Sequence, residues 1–257
     1  MRIDFGVQTF TIRKAQKKNI SDAYLPLIKL GIRRFEVARI DFNEKNAKII
    51  KSLVDEYGIE ICSIQVKPKC VFSDISGIVR FCNTVGCKSV VISMLPFKCI
   101  LGNEEKFYSF AESLDGLAER YLEQGISLAY HHHNWEFIRL SSGKTRIEEL
   151  LSRTSKLLFV TDTYWTARCA VDPAKQISLF GDRLLGVHLR DLALYKKGLD
   201  VLAKDTAIGE GVLDFESILC EAAPLGSYFV IEEKTKTPYE NIEKSYNYLK
   251  KITEATC

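Results

Sequence analysis

Three of the four histidines in this 257-residue chain fall within the stretch Leu128-Ala-Tyr-His-His-His-Asn-Trp-Glu-Phe137, and imidazoles are otherwise too scarce for such a cluster to arise by chance. The apolar lead-in from Ile126 to Tyr130 delivers them from a buried strand. Alternation along that strand sends His131 and His133 to one face and His132 to the other, so the strand end presents two imidazoles together. Polar residues also close other apolar, strand-like runs: Gln8, Glu36, Gln65, Asp162, His188 and Glu232. If these strands lie side by side and parallel, all of these groups converge on one mouth. A set of imidazoles and carboxylates suits a borderline divalent cation, Mn2+, Co2+ or Zn2+, and carries too much nitrogen for a preferred Ca2+ site. Asp162 and Glu232 would balance the charge of the ion, with His188 and His131 as neutral ligands. Burying all of these groups unpaired would cost several kcal/mol each.

Alternating elements must position them. Arg2 to Phe10 reads as a strand and Ile20 to Leu30 as a helix closed by Gly31. A strand over Arg33 to Ala38, a helix over Asn43 to Tyr57 stopped by Gly58, a strand over Glu60 to Val66 and a helix over Ser73 to Val85 stopped by Gly86 repeat the unit. Ser89 to Met94 is nearly all apolar, as expected of a strand buried on both faces. A long amphipathic helix over Glu104 to Glu123 precedes the histidine strand. Beyond it, helices at Ile147 to Arg153, Pro173 to Leu179, Phe215 to Ala223 and Tyr239 to Ile252 alternate with strands at Leu157 to Thr161, Leu184 to Leu189 and Tyr228 to Ile231. Eight such units in roughly 250 residues predict an α/β fold, the (β/α)8 TIM barrel, because parallel strands need helical crossovers. A doubly wound open sheet fits less well: no Gly-x-Gly-x-x-Gly follows any strand, and polar residues recur at successive strand C-termini. No linker rich in Pro, Gly and Ser interrupts residues 1–257, which predicts a single continuous domain.

Lys and Arg total 36 against 33 Asp and Glu, a net charge of +3 with the signs mixed throughout. No dense basic patch is present to neutralise a run of phosphates, so nucleic acid is not the expected partner. The eight cysteines form no Cys-x-x-Cys pair and most lie in apolar runs, which predicts buried free thiols in a reducing compartment. The chain enters its first strand without an apolar leader, and no apolar run approaches the roughly 20 residues of a membrane span. A soluble, cytoplasmic protein with no membrane partner is expected; a homo-oligomer is left open.

The segments Gly6-Val-Gln-Thr-Phe-Thr-Ile-Arg13, Tyr130-His-His-His-Asn-Trp-Glu-Phe137, Asp162-Thr-Tyr-Trp165, Val171-Asp-Pro173, Val187-His-Leu-Arg-Asp191, Gly209-Glu-Gly-Val-Leu-Asp-Phe215 and Val230-Ile-Glu-Glu233 together resemble the sugar phosphate isomerase/epimerase family, the xylose isomerase-like TIM barrels. The similarity runs over nearly the whole chain and is nearest to the inosose dehydratase-like branch. It implies a divalent metal held by residues ending strands five to eight, with Asp162, His188 and Glu232 as ligands. Strand five departs from the pattern, since many relatives place a glutamate ligand at the position aligned with His131. The nearest branch usually reads His-Asn-His there, so His132 replaces an asparagine, and Asn134 stands where an aspartate is frequent. The fourth ligand is then His131 or His133, with Glu136 close enough to orient either. Strand three departs as well, Gln65 standing where relatives often carry histidine.

A bound metal would chelate a carbonyl and the adjacent hydroxyl of a small sugar, keto-sugar or cyclitol and stabilise the enediolate left by proton loss. The expected activity is that of a metal-dependent isomerase or epimerase, or of a dehydratase that goes on to lose a β-hydroxyl, with Glu232 or a histidine such as His133 as the base. A two-glutamate mechanism is not expected, because strand five supplies histidine. Gln8, Glu36, Gln65, Trp165 and Arg190 are candidate substrate contacts. Trp165 is either an apolar wall against a sugar ring or core packing. Arg190 and Asp191 either pair with each other or reach a polyol or phosphate. Gly209-Glu-Gly211 lacks the lysine and spacing of a P-loop and reads as a tight turn. Two other classes compete: an endonuclease IV-like, metal-dependent nuclease on the same barrel, against which the near-neutral charge speaks, and a sugar-binding barrel without turnover.

Overall fold

The apolar runs fold as parallel strands because the amphipathic stretches between them are long enough to return the chain to the same end. In the computed structural model, which describes residues 3–255, the strands are β1 (Phe5–Gln8), β2 (Arg34–Ala38), β3 (Glu60–Val66), β4 (Ser89–Ile92), β5 (Ser127–His131), β6 (Leu158–Asp162), β7 (Leu184–Leu189), β8 (Asp191–Lys197), β9 (Asp200–Thr206) and β10 (Tyr228–Ile231). Strands β1 to β7 and β10 close into one parallel barrel, with β10 returning to pair with β1. The expected (β/α)8 barrel is therefore the fold, its eighth strand preceded by an antiparallel hairpin, β8 and β9, that stands apart as a two-stranded sheet.

Alternation sorts the strand side chains. Val91, Ala129, Val160, Tyr228 and Val230 form one apolar cluster, while Val90, Leu128, Tyr130, Phe159 and Phe229 on the same strands pack into the larger core shared with the helices. Helix boundaries follow their caps. Asn43 accepts from the backbone of Asn46 at the start of the helix Glu44–Tyr57, which Gly58 ends in the left-handed conformation, as Gly86 ends the helix Ile75–Val85. Thr145 and Glu148 form a capping box.

The structure departs from the expected elements in three ways. Short helices at Arg13–Gln16, Pro68–Ser73, Phe97–Leu101 and Thr163–Arg168 follow β1, β3, β4 and β6; each is too short to show a helical period in sequence. Strands β8 and β9 were not anticipated either, because a ribbon with no face in a core carries no clean alternation. The expected first strand was to begin at Arg2, which lies outside the described residues, and it ends at Gln8, since Thr9 and Phe10 turn away. Among the cysteines, Cys82, Cys87 and Cys99 are buried and Cys62 and Cys169 half-buried, but Cys70 and Cys220 are exposed, which corrects the expectation of a mostly buried set. Cys257 lies outside the described residues. Among the described residues no helix is long and apolar enough to cross a membrane.

Candidate metal centre

Four neighbouring barrel strands place the site. Asp162 on β6 lies in register beside His188 on β7, and Ile231, the last residue of β10, lies beside Leu189. The next residue, Glu232, donates its backbone N–H to the Leu189 carbonyl at 3.2 Å, extending that register by one step. His131 is the last residue of β5, beside Val160. One ligand atom from each of His131, Asp162, His188 and Glu232 lies within 4.8 Å of the others, and all four residues are buried.

Hydrogen bonds set which atoms face the centre. His131 Nδ1 lies 3.4 Å from the Ser93 carbonyl, which can only accept, so that nitrogen carries the proton. The Nε2 lone pair is then free, 3.6 Å from Asp162 Oδ2. Asp162 caps the helix that follows β6: its Oδ1 accepts from Trp165 N at 2.9 Å, while Oδ2 accepts from Arg190 Nη1 at 3.0 Å. The His188 ring lies between two carboxylates, Nε2 at 2.9 Å from Glu36 Oε1 and Nδ1 at 2.8 Å from Glu232 Oε2. Glu36 is itself held from below, its Oε2 accepting from the hydroxyls of Ser63 and Tyr228. Gly186 makes that arrangement possible, because a Cβ on it would stand 2.3 Å from the Tyr228 ring. Arg190 completes the wall by pairing with both oxygens of Asp205 on β9 and by lying 3.5 Å from Glu232 Oε1.

The charges are strongly coupled. Burial works against a charged His188, but Glu36 and Glu232 outweigh it and push its pKa up to about 10. Burial likewise opposes ionisation of Asp162, yet the Arg190 guanidinium beside it holds it well below the usual carboxylate range. Glu232 is lowered to about 2, its burial overcome by His188 and Arg190. The His188 contacts are short enough for hydrogen bonds but do not meet their angular requirement. His131 Nε2, His188 Nδ1 and Nε2, Glu36 Oε1 and Glu232 Oε2 are thus buried without hydrogen-bond partners. Four of these five atoms lie on residues of the cluster, and one cation on the Glu232 side of the His188 ring would satisfy His131 Nε2, His188 Nδ1 and Glu232 Oε2 together. The cluster could therefore hold a metal ion: its two imidazoles and two carboxylates match a borderline divalent cation.

The family model of the xylose isomerase-like TIM barrel matches residues 27–252. The chain belongs to that family. An inosose dehydratase of Clostridium perfringens is 25% identical over 207 residues, covering 67% of this chain and 68% of the relative. A sugar phosphate isomerase/epimerase of Parabacteroides distasonis superposes with a TM-score of 0.76 at 21% identity, over 97% of this chain and 96% of that one. The 3-keto-D-glucoside 4-epimerase of E. coli superposes with a TM-score of 0.69 at 17% identity, over 97% and 100%. At these identities the structural likenesses establish the barrel.

This member of the xylose isomerase-like family places its remaining candidate residues unequally. His133 lies just past β5, half-buried, its ring 4.8 Å from that of His131 and 5.3 Å from that of Trp165. Burial lowers it to about 3, so it is neutral near pH 7. His132 points the other way, to Thr161 Oγ1 at 3.0 Å, as alternation requires. Glu136 is fully buried and accepts from the Tyr130 hydroxyl and from His133 N; it touches the backbone of the histidine loop rather than either ring. Glu36, expected among the substrate contacts, is fully buried beneath His188 instead. Gln8 donates to Gln65 Oε1 at 3.1 Å, so these two amides pair across β1 and β3. Trp165 is half-buried at the mouth, beside Tyr164 and His133, with Arg190 over its ring at 5.5 Å. Arg190 is buried and does not pair with Asp191, because Asp191 accepts backbone N–H groups from Gly209, Gly211 and Leu213 and so holds the Gly209–Gly211 turn. Ser63, Tyr228 and Asp205 were not anticipated. A glycine between two apolar runs, at Gly198, is the signal that would have exposed the hairpin carrying Asp205.

Proposed function

We propose that this chain is a divalent-metal-dependent enzyme acting on a keto-sugar or a cyclitol ketone by proton abstraction next to the carbonyl. The observation that carries this reading is the buried set of His131 Nε2, His188 Nδ1 and Glu232 Oε2, without hydrogen-bond partners at the strand C-termini where barrels of this kind keep their sites. His131, Asp162, His188 and Glu232 would hold the ion, and Mn2+, Co2+ or Zn2+ suits the donors. When bound, the ion supplies Lewis acidity to a carbonyl and its neighbouring hydroxyl. Glu36 fixes the His188 ring from the side opposite Glu232, and Arg190 holds Asp162 and Glu232 ionised. Ionised throughout the neutral range, Glu232 can accept a proton at its second oxygen. Trp165 and neutral His133 line the mouth, offering an apolar ring face and a ring nitrogen, Nδ1, without a partner. Return of the proton gives isomerisation or epimerisation; loss of the β-hydroxyl as water gives dehydration. Relatives named as an inosose dehydratase and a 3-keto-D-glucoside 4-epimerase support this substrate class.

The test is solvent exchange. Full-length protein loaded with Mn2+, Co2+ or Zn2+ and incubated with keto-sugars and inososes in D2O should incorporate deuterium at the carbon beside the carbonyl, and chelation should abolish it. If sugars bind calorimetrically but none exchanges, the chain is a sugar-binding barrel and turnover is ruled out. More than one tightly bound ion per chain would instead select the nuclease class.

A further inference from the structure

The β8–β9 ribbon stands outside the barrel as a sheet of its own. Leu194, Tyr195, Leu199, Val201 and Leu202 are all exposed on it, Val201 at 65% and Leu194 at 57%, although buried apolar residues are the rule in the barrel. Its register is regular: Lys197 lies opposite Asp200, Tyr195 opposite Leu202 and Ala193 opposite Lys204, around a two-residue turn in which Gly198 takes φ +64°. The pair that closes such a turn is hydrogen-bonded, and bonded and non-bonded pairs then alternate. Asp200, Leu202 and Lys204 therefore turn their backbone groups toward β8, while Val201, Ala203 and Asp205 turn theirs outward. A bond from Val212 N to the Leu192 carbonyl at 3.0 Å agrees with this parity, since Leu192 lies opposite Asp205.

The two edges of the ribbon are treated differently. The β8 edge is covered near its base by Val212 and carries Lys196 and Lys197 at its tip. On the β9 edge, among the described residues, no backbone group from outside the ribbon bonds to Val201 or Ala203, and no proline or pair of like charges guards them. An apolar edge left open in this way pairs with another strand.

We propose that β9 pairs with β9 of a second copy of this chain, antiparallel about a twofold axis through Leu202, so that two ribbons form one four-stranded sheet. Outward backbone groups must face outward groups, so the axis passes through a residue, and within the exposed stretch that residue is Val201, Leu202 or Ala203. An axis through Val201 sets Leu202 against Asp200, and one through Ala203 sets Leu202 against Lys204. An axis through Leu202 sets Leu202 against itself, Val201 against Ala203, and Asp200 against Lys204 on both sides. Only this register is complementary in both charge and polarity. It also brings Tyr195, which lies across the ribbon from Leu202, into the apolar contact of the two copies. The seam continues toward Asp205, the residue that grips Arg190 beside the candidate metal centre.

Sedimentation equilibrium of the full-length chain at micromolar concentrations should report a dimer. Asp200→Lys alone and Lys204→Asp alone should each weaken dimerisation by about tenfold, as two opposite-charge pairs become like-charge pairs, and the double variant should recover it. Ala203→Pro should give a monomer that still folds, because the N–H it removes points away from β8; an unchanged thermal transition verifies the folding. A wild type that stays monomeric at every concentration overturns the proposal, as does a dimer untouched by Ala203→Pro. Failure of the double variant to recover a dimer that each single variant weakens overturns the register.

Discussion

The two halves of the barrel mouth carry similar numbers of polar residues and use them in opposite ways. On β1 and β3 the Gln8 amide donates to Gln65 Oε1 and accepts from the backbone N–H of Phe10, and on β2 one oxygen of Glu36 is taken by two hydroxyls. On β5, β6, β7 and β10 the side chains of His131, Asp162, His188 and Glu232 crowd within 4.8 Å and leave buried atoms without partners. A polar residue at a strand end is therefore not a ligand by position alone. Matched donors and acceptors close on themselves, whereas two imidazoles and two carboxylates crowd together more acceptor atoms than their protons can join in well-aligned bonds. Glu36 joins the halves, rising from β2 to the far side of the His188 ring.

Substitutions on the two sides should separate in the same way. The largest effect is expected from Glu232→Gln, which removes a charged donor while keeping its shape: metal should be lost and the exchange activity should fall by at least roughly a hundredfold, read by elemental analysis and by deuterium incorporation. Glu36→Gln acts through His188 and should weaken metal binding by roughly ten- to a hundredfold in titration calorimetry without removing a ligand. An unchanged affinity would mean that the His188 ring is held by Glu232 alone. Glu233→Gln separates stability from the site. Glu233 points away from the centre and accepts from Ser245 and Asn241, and burial raises its pKa to about 7, above the ordinary 4.5. Its protonated form is thus favoured in the folded state. Wild-type stability should be fully retained below about pH 4.5 and decline as pH rises through 7, by about 3 kcal/mol. In the Gln variant that decline should be missing from denaturant titrations across this window, with metal content near wild type. Equal metal loss from the Glu232 and Glu233 variants would show the two side chains to be exchanged. The smallest effect belongs to the satisfied half: Gln65→Ala should leave metal affinity near wild type, and a marked loss would show that β3 contributes to the centre.

Much of this was legible before any coordinates. The limits of β3, β7 and β10 match the expected ones because each is a mostly apolar run with a polar residue at its end. The ribbon was harder to read for the converse reason: beyond Leu192 neither face lies in the core, so nothing in its sequence had to alternate and only Gly198 marks its turn. His131 and His133 were equivalent by period alone, since both lie on one face of a strand. The end of β5 at His131 and the Ser93 carbonyl beside its Nδ1 distinguish them, and Ser93 comes from 38 residues away.

The sequence by itself determined the barrel, the end at which its polar groups gather and three of the four clustered residues, with His131 or His133 open as the fourth, because strand period and strand order are local properties repeated along the chain. Only the tertiary structure decided which nitrogen of His131 is free, that Glu36 supports His188 rather than reaching the mouth, and that Asp205 of the ribbon holds Arg190. Those outcomes depend on contacts between residues far apart in sequence, and a hydrogen bond is made or missed within a few tenths of an ångström, a scale on which residue spacing carries no information.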